Sequence, residues 1–537
     1  MRVSAVKLIL VIIPVSLFCL STVLTKHHGA YFLRNNFDPD YNYLLNSLSV
    51  LYLRTPGHTD HPGTTLQILG AAILLLKWLG ISLVGHRQTL ADSVLAHPEE
   101  YLRTINVVLN VLIAATLYWS AWCIYRLSNS LFAAALLQVT VLVYLQTFLA
   151  LFRVSPEPLL LAVGLALMAP LAPMVIRRDG TNANENRLAV AAGALFGFGL
   201  ITKITFAPWA AVILLFPKRS LKTRFVAAAA TAILLLLLPV TARLPDMATW
   251  FTSLLFHAGH YGTGRIGIPE AHTLVANFVS LWQVEPPLFL FLALYAATLL
   301  LLRLFRPQGT PLTDKPQLLL LAACIAIIAG IIMVVKHPAY HYLLPVLVLT
   351  AFVNSGLWAV LPHSELSGTA VRGLSLAALV MFIGIGLFHN WFSLWWWVGA
   401  ARTDRQNIAE LDALEERLPG CQIIGSFRSS LEPYALSFAN FYSAGVHGGA
   451  LEKLYPGTIN YDPFHYHFGS FAFGEKDQDV KRLVSNGQCV LLESTPLDAG
   501  ALKQFDGIRL LTLMTAGNPL IPSDPTTLYR LQPPPPP

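Results

Sequence analysis

Apolar stretches of about 20 residues recur along this chain of 537 residues, each long enough to cross a bilayer core as a helix. Runs such as "FVAAAATAILLLLLPV" and "LLLLAACIAIIAGIIMVV" carry no polar face, so they are not the half-covered helices of a water-soluble domain. Charged residues make up 12% of the chain and hydrophobic ones 55%, with a mean hydropathy of +0.57. A typical soluble domain carries roughly 25% charge. The chain therefore reads as a polytopic α-helical membrane protein. Its net charge of +7 resides mostly in short loops between the apolar runs, where cations set topology. No basic tract with interleaved aromatics occurs, so no nucleic-acid partner is expected.

Spans are expected near 6–25, 104–125, 130–151, 157–176, 188–202, 204–217, 225–243, 285–303, 317–335, 342–361 and 371–390, eleven in all. A further run, 65–84, would invert the sidedness of everything after it if it crossed. Laid along the surface instead, it lets the cytoplasmic loops collect Arg126, Arg177, Arg187, Lys218, Arg303, Lys315 and Arg372, in keeping with the positive-inside rule. The N-terminus is then inside, the C-terminus outside, and 26–103 forms a long first outer loop. The first run follows two cations and lacks a small-residue cleavage pattern, which reads as an uncleaved signal anchor.

The membrane domain is expected over 1–390. The tryptophans of "WFSLWWWVG" (391–399) suit an interfacial belt. Beyond them, over 391–532, an amphipathic helix with Ile408, Leu411, Leu414 and Leu418 on one face precedes alternating strand and helix patterns. That alternation indicates a small C-terminal α/β domain outside the membrane. Residues 533–537 form a proline tail. Cys421 and Cys489 each open a predicted strand. Parallel neighbouring strands in an oxidising compartment would join them as a disulfide, the alternative being two buried thiols. Cys19, Cys123 and Cys324 lie within apolar runs and read as packing residues.

On this topology every outer connection of the membrane region carries ionisable groups. Asp38, Asp40, His58, Asp60 and His61 stand in the first loop, and Arg153 and Glu157 in "LFRVSPEPLLL". Lys203 follows in "GLITKITFAP", His257, His260 and Arg265 in "FHAGHYGTGRIG", and Lys336, His337 and His341 in "VVKHPAYHYLLP". Any single cation at a span end could simply snorkel to the interface, but their concentration on one face points to a polar cavity. Carboxylates among cations suit a general base beside an anionic leaving group such as a phosphate. His257 and His260 are candidates for an acceptor entrance, with interfacial packing as the plainer alternative. No cofactor is expected. A divalent cation on the aspartates and histidines stays open, although no fixed ligand spacing is visible.

These segments resemble a known superfamily. "FDPDYNYLLNS" followed by "DHPGTTLQ" is similar to the first outer loop of the GT-C glycosyltransferases. "RVSPEPLLL", "GLITKITFAPW" and "HYLLPVLVLTAF" resemble later segments of its protein O-mannosyltransferase and aminoarabinose-transferase branch. The resemblance covers about residues 1–390. His-Pro-Gly stands where that branch has His-Pro-Pro, and Asp-Pro-Asp where it has Asp-Glu. The oligosaccharyltransferase Trp-Trp-Asp signature is missing, which argues against asparagine-linked transfer. The resemblance implies a GT-C fold, a polyprenyl-phosphate-linked sugar donor and inversion at the anomeric carbon. It implies Asp38 as base or acceptor-positioning group, with Asp40 as rival, and Lys203, Arg153, Arg265 and Lys336 on the donor phosphate. The substrate-binding set is then His61, Arg153, Glu157, Lys203, His257, His260, Arg265, Lys336 and His341. Membrane lipid is a partner, and the acceptor is a glycan, a lipid or a protein.

The competing readings are a transporter or flippase of lipid-linked saccharides and a polymerase or ligase of the same substrates. No inverted repeat is visible and the spans lack central charges, which disfavours transport. No Asn-x-Ser/Thr site occurs, so a bacterial inner membrane with a periplasmic catalytic face is expected.

Overall fold

The structure is a computed structural model that describes residues 3–33, 37–60, 62–85, 87–177, 184–304, 314–360, 369–426, 431–462, 467–469, 471, 480–494, 497, 502–503, 505, 508–518 and 521–533. His61 and most of the proline tail lie outside the described residues.

In chain order the helices are α1 (Val3–His28), α2 (Phe37–Leu51), α3 (Thr64–Leu83), α4 (Leu90–Ala96), α5 (Pro98–Ser128), α6 (Leu131–Val141), α7 (Leu145–Ala150), α8 (Pro156–Ile176) and α9 (Glu185–Thr202). A 3-10 segment, Ile204–Leu215, precedes α10 (Arg219–Leu237) and α11 (Leu244–Phe256). Then come α12 (Ala271–Val284), α13 (Pro286–Leu304), α14 (Asp314–Lys336), α15 (Leu344–Val360) and α16 (Thr369–Glu416). The C-terminal region adds β1 (Gln422–Ser426), α17 (Glu432–Phe441), α18 (Gly448–Leu454), β2 (Ile459–Asp462), β3 (His467–Gly469), α19 (Val480–Ser485), β4 (Val490–Ser494), β5 (Arg509–Asn518) and β6 (Ile521–Gln532).

Eight helices among the described residues are long and apolar enough to cross a membrane, or nine if the α12–α13 pair, bent by 91°, is one span. The protein is a helical, multi-pass membrane protein. The count differs from the expected eleven for local reasons. The run 130–151 breaks into α6 and α7, and 204–217 winds as a short 3-10 segment around Pro208. Helix α9 is not among the candidate spans, whereas α3, expected along the surface, meets the same length and apolarity criteria as the others.

The chain divides into two compact units. The first comprises residues 1–23, 59–66 and 106–394; the second comprises 24–58, 67–105 and 395–537. The expected boundary at 390 is crossed by a continuous α16, because the change from apolar to polar composition at the tryptophan cluster contains no helix breaker strong enough to end it. The first-loop segments 24–58 and 67–105 belong with the C-terminal region in one unit.

In the first unit α8 and α15 are the most deeply buried spans. Trp209 Nε1 donates to Pro345 O (2.8 Å), Tyr144 and Thr350 hydroxyls share a hydrogen bond (2.7 Å), and Ser355 Oγ donates to Ala133 O (2.7 Å). Helices α9 and α10 approach backbone to backbone. A Cβ on Gly193 would lie 2.1 Å from Phe225 O, and one on Gly197 2.5 Å from Ala229 O. Gly193 and Gly197 are four residues apart, the small-residue spacing that lets membrane helices touch.

In the second unit a six-stranded mixed sheet has the order β3-β2-β1-β4-β6-β5. β2, β1 and β4 run parallel, and β3, β6 and β5 are antiparallel to their neighbours. Ile424, Ile459, Tyr461, Val490 and Leu492 form its main core. Leu414 and Leu418, from the predicted helical face, pack on Leu491 and Leu528. Cys421 and Cys489 immediately precede the parallel pair β1 and β4 and are joined in a disulfide, with Cα atoms 4.5 Å apart.

Candidate active site

In the first unit, helix ends bring opposite charges together. Glu157 sits in the first turn of α8, behind Ser155 and Pro156, where exposed backbone N–H groups favour a carboxylate. Lys203 follows the last residue of α9 in an extended conformation (φ −162°, ψ 138°), where free carbonyls favour a cation. Gly199 makes the α9 end compact, since a Cβ there would lie 2.5 Å from the Phe206 ring.

Lys203 Nζ donates to Glu157 Oε1 at 2.6 Å, and both side chains are buried. His341 Nε2 lies 3.7 Å from the same carboxylate oxygen, and with its side chain 46% exposed it forms the open edge of the cluster. The Tyr342 ring packs against Lys203 Nζ, 4.4 Å from its centroid, a cation–π contact. Arg153 stands near enough for its charge to act on His341. Its carbonyl accepts a hydrogen bond from Asn106 Nδ2 at 3.2 Å. Pro62 forms an isolated bridge with Lys203, and Thr65 Oγ1 donates to Thr202 Oγ1 at 2.7 Å. Pro62 and Thr65 therefore meet the "LITK" segment here. Two fixed cations against one carboxylate leave the cluster net positive before His341 is counted, so it can hold an anion.

The segment 256–267 folds back on itself beyond α11. Ala258 N donates to Arg265 O (2.9 Å), Gly259 N to Thr263 O (2.8 Å) and Gly267 N to Phe256 O (2.8 Å). His257 pairs with Ile266 in an isolated bridge, and the His260 backbone opens a short 3-10 turn. Arg265 is exposed, 3.7 Å from Glu270, and so faces a carboxylate of its own rather than Glu157. Lys336 Nζ donates to Leu255 O, and Tyr342 OH donates to Tyr261 OH at 3.4 Å, which ties this segment to the entry of α15.

The first-loop aspartates lie in the second unit. Asp38 precedes Pro39, which disfavours helical backbone at the residue before it, and Asp38 is extended at φ −102°, ψ 117°. It is exposed and accepts from Asn42 Nδ2 at 3.0 Å. Asp40 is fully buried. Tyr41, one residue on, is also fully buried and donates to Glu99 Oε1 (2.9 Å), which accepts the Tyr31 N–H as well (2.8 Å). Burial first, and the Glu99 charge second, push the Tyr41 phenol well above its usual range, so it serves as a donor.

Of the predicted residues the structure gathers Glu157, Lys203 and His341 in one cluster, with Arg153 close enough to act on His341. Among the described residues no three His, Cys, Asp or Glu side chains stand where they could hold a metal ion. Sequence reasoning passed over Tyr342, Asn42, Asn46 and Glu285. Asp38, Asn42 and Asn46 recur at intervals of four, one polar stripe on an otherwise apolar helix, and that spacing could have found them. Glu285, fully buried at the α12–α13 break, accepts the Gln146 N–H at 3.2 Å and thereby caps α7.

No family model matches the chain, and no curated protein does. Among solved structures, ArnT from Cupriavidus metallidurans bound to undecaprenyl phosphate is similar at 14% identity with a TM-score of 0.48, covering 96% of this chain and 97% of that one. The apo state of the same protein is similar at 13% identity, TM-score 0.48, with the same coverage. The candidate site rests on its own geometry.

Proposed function

We propose that the protein is a membrane glycosyltransferase that moves a sugar from a polyprenyl-phosphate donor to a lipid, glycan or protein acceptor, with inversion. The observation that carries this reading is the buried Lys203–Glu157 pair with His341 at its open edge, at the ends of apolar helices. An ammonium has three donors, and Lys203 spends one on Glu157, which orients it. In the proposed step a general base takes the proton of the acceptor hydroxyl, and the resemblance implies Asp38, or Asp40 in its place, as that base or as the group that positions the acceptor. The acceptor oxygen attacks the anomeric carbon as the bond from that carbon to the phosphate oxygen breaks. Polyprenyl phosphate departs with the bond's electron pair, its charge met by Lys203 and Arg153. The Cys421–Cys489 disulfide fits an oxidising compartment, which supports the reading of a bacterial inner membrane with the C-terminal domain in the periplasm.

A second reading, movement of lipid-linked saccharides across the membrane, is favoured by the broken α12–α13 pair with the buried Glu285 at its bend. One experiment separates the two. The purified protein, in proteoliposomes, is given a panel of polyprenyl-phosphate sugars with lipid and glycan acceptors, and donor loss is followed by mass spectrometry. Transfer predicts donor consumed and polyprenyl phosphate released. Donor that changes leaflet without being consumed supports the second reading and rejects the first.

A further inference from the structure

Asn46, on the third turn of the aspartate-bearing helix α2, is fully buried and uses its entire hydrogen-bonding capacity. Its Nδ2 donates to Asn42 O (2.7 Å) and to Tyr442 O (3.2 Å). Its Oδ1 accepts the backbone N–H of Gly57 (2.8 Å) and of His58 (3.1 Å). One amide thus joins the body of α2, the loop that follows it and the turn after α17 of the C-terminal domain. A residue one turn further repeats the link. His447 Nε2 lies 3.0 Å from Ser49 Oγ and 3.1 Å from Leu45 O. A carbonyl only accepts, so Nε2 carries the proton.

The gripping turn is itself braced. Asn440 Oδ1 accepts the His447 N–H (2.9 Å) and its Nδ2 donates to Phe471 O (3.0 Å). Ala444 adopts a left-handed φ of 57°, which turns the chain back toward α2. The fit leaves no room for a side chain at Gly57, where a Cβ would lie 2.6 Å from Tyr442 O. Asn42, whose carbonyl Asn46 holds, holds Asp38 with its own side chain.

We propose that Asn46 is a positioning residue through which the C-terminal domain fixes the helix that presents Asp38 and Asp40, so that the domain acts as a clamp on the first outer loop. This rests on the glycosyltransferase reading for its catalytic consequence but not for the clamp itself. Removing the amide takes four hydrogen bonds from a buried site, and a displacement of about 1 Å at a reacting group costs on the order of 100-fold in rate.

The test uses the full chain in detergent and measures hydrogen–deuterium exchange of the wild type, Asn46→Ala, Asn46→Asp and His447→Ala. Asn46→Ala is expected to speed exchange across 41–51 and at 57–58 about tenfold while β1 and β4 keep their protection. Asn46→Asp retains the acceptors for Gly57 and His58 but not the donors to Tyr442 and Asn42, so it should loosen α2 and spare 57–58. With any donor the wild type consumes, Asn46→Ala is expected to lower kcat at least tenfold with KM unchanged. Unchanged exchange in α2 overturns the clamp. Exchange raised throughout the second unit, with kcat per folded molecule unchanged, marks a merely structural residue and overturns it too. If the wild type consumes no donor, the functional reading fails while exchange still decides the clamp.

Discussion

In the first unit a full charge pair is buried: Glu157 and Lys203, 2.6 Å apart, with His341 at the open edge. In the second unit the links that join α2 to the turn after α17 are neutral, through Asn46, His447 and Ser49, and a disulfide ties the sheet. The two solutions differ in what they cost. A buried ion pair seldom stabilises a fold more than well-packed apolar residues would, whereas a fully satisfied amide fixes geometry at little penalty. A charge pair retained in an apolar environment is therefore better explained by a ligand than by stability, and a neutral network by the need to hold a segment in place.

The largest expected effect attacks the charged side. Lys203→Met strands Glu157 as an uncompensated buried charge and should destabilise the protein by about 3–5 kcal/mol. Adding Glu157→Gln should recover most of that loss, as read by thermal unfolding in detergent. A double variant as unstable as the single one would mean that the pair is a structural strut, and the contrast between the units would disappear.

Next is the covalent tie of the second unit. The disulfide closes a sequence separation of 68 residues, so Cys421→Ser with Cys489→Ser should cost up to about 4 kcal/mol on the chain-entropy model. Limited proteolysis should show the new cleavage sites within 420–532. Smaller again is Gly57→Ala. Its Cβ would press on Tyr442 O at 2.6 Å and Ala444 N at 2.8 Å, which should cost about 1–3 kcal/mol and unsettle the second unit first.

The mildest perturbation is pH. Burial first, and the Arg54 charge as a lesser opposing influence on protonation, hold His447 down at about 4, although its hydrogen bond to Leu45 O works the other way. The unfolded chain, with an ordinary histidine near 6.5, binds the proton more readily than the folded one. Stability from this residue is therefore complete above about pH 6.5 and is lost as pH falls toward 4, by at most about 1.4 kcal/mol per unit. His447→Gln should flatten that slope in a pH series of unfolding curves. An unchanged slope would place the sensitivity elsewhere.

Much of this was legible in the sequence because apolarity, charge and strand-opening cysteines are local signals. The spans around 6–25, 157–176, 317–335 and 342–361, the strands at 422–426 and 490–494 and the Cys421–Cys489 bond all follow from them. Glu157, Lys203 and His341 stand out because ionisable groups are rare near a bilayer, but so do Arg265 and Lys336, which make other contacts. Three features escaped for physical reasons. Asparagines carry no charge to mark a buried network, so charge alone does not single out Asn42 and Asn46. Helix α16 runs unbroken from apolar into polar sequence, and a change of composition is not a change of backbone. The bend at Glu285, followed by Pro286 and Pro287, falls where the expected span 285–303 begins, and no span is expected over 271–284 ahead of it.

The central claim is that the Glu157–Lys203 cluster exists to meet a lipid phosphate. The direct measurement is binding of a polyprenyl phosphate, by native mass spectrometry, to the wild type and to the folded Glu157→Gln/Lys203→Met variant. The account predicts binding by the wild type at least tenfold tighter than by the variant, with a neutral polyprenol bound weakly by both. Equal affinity of the two proteins for the phosphate would contradict it.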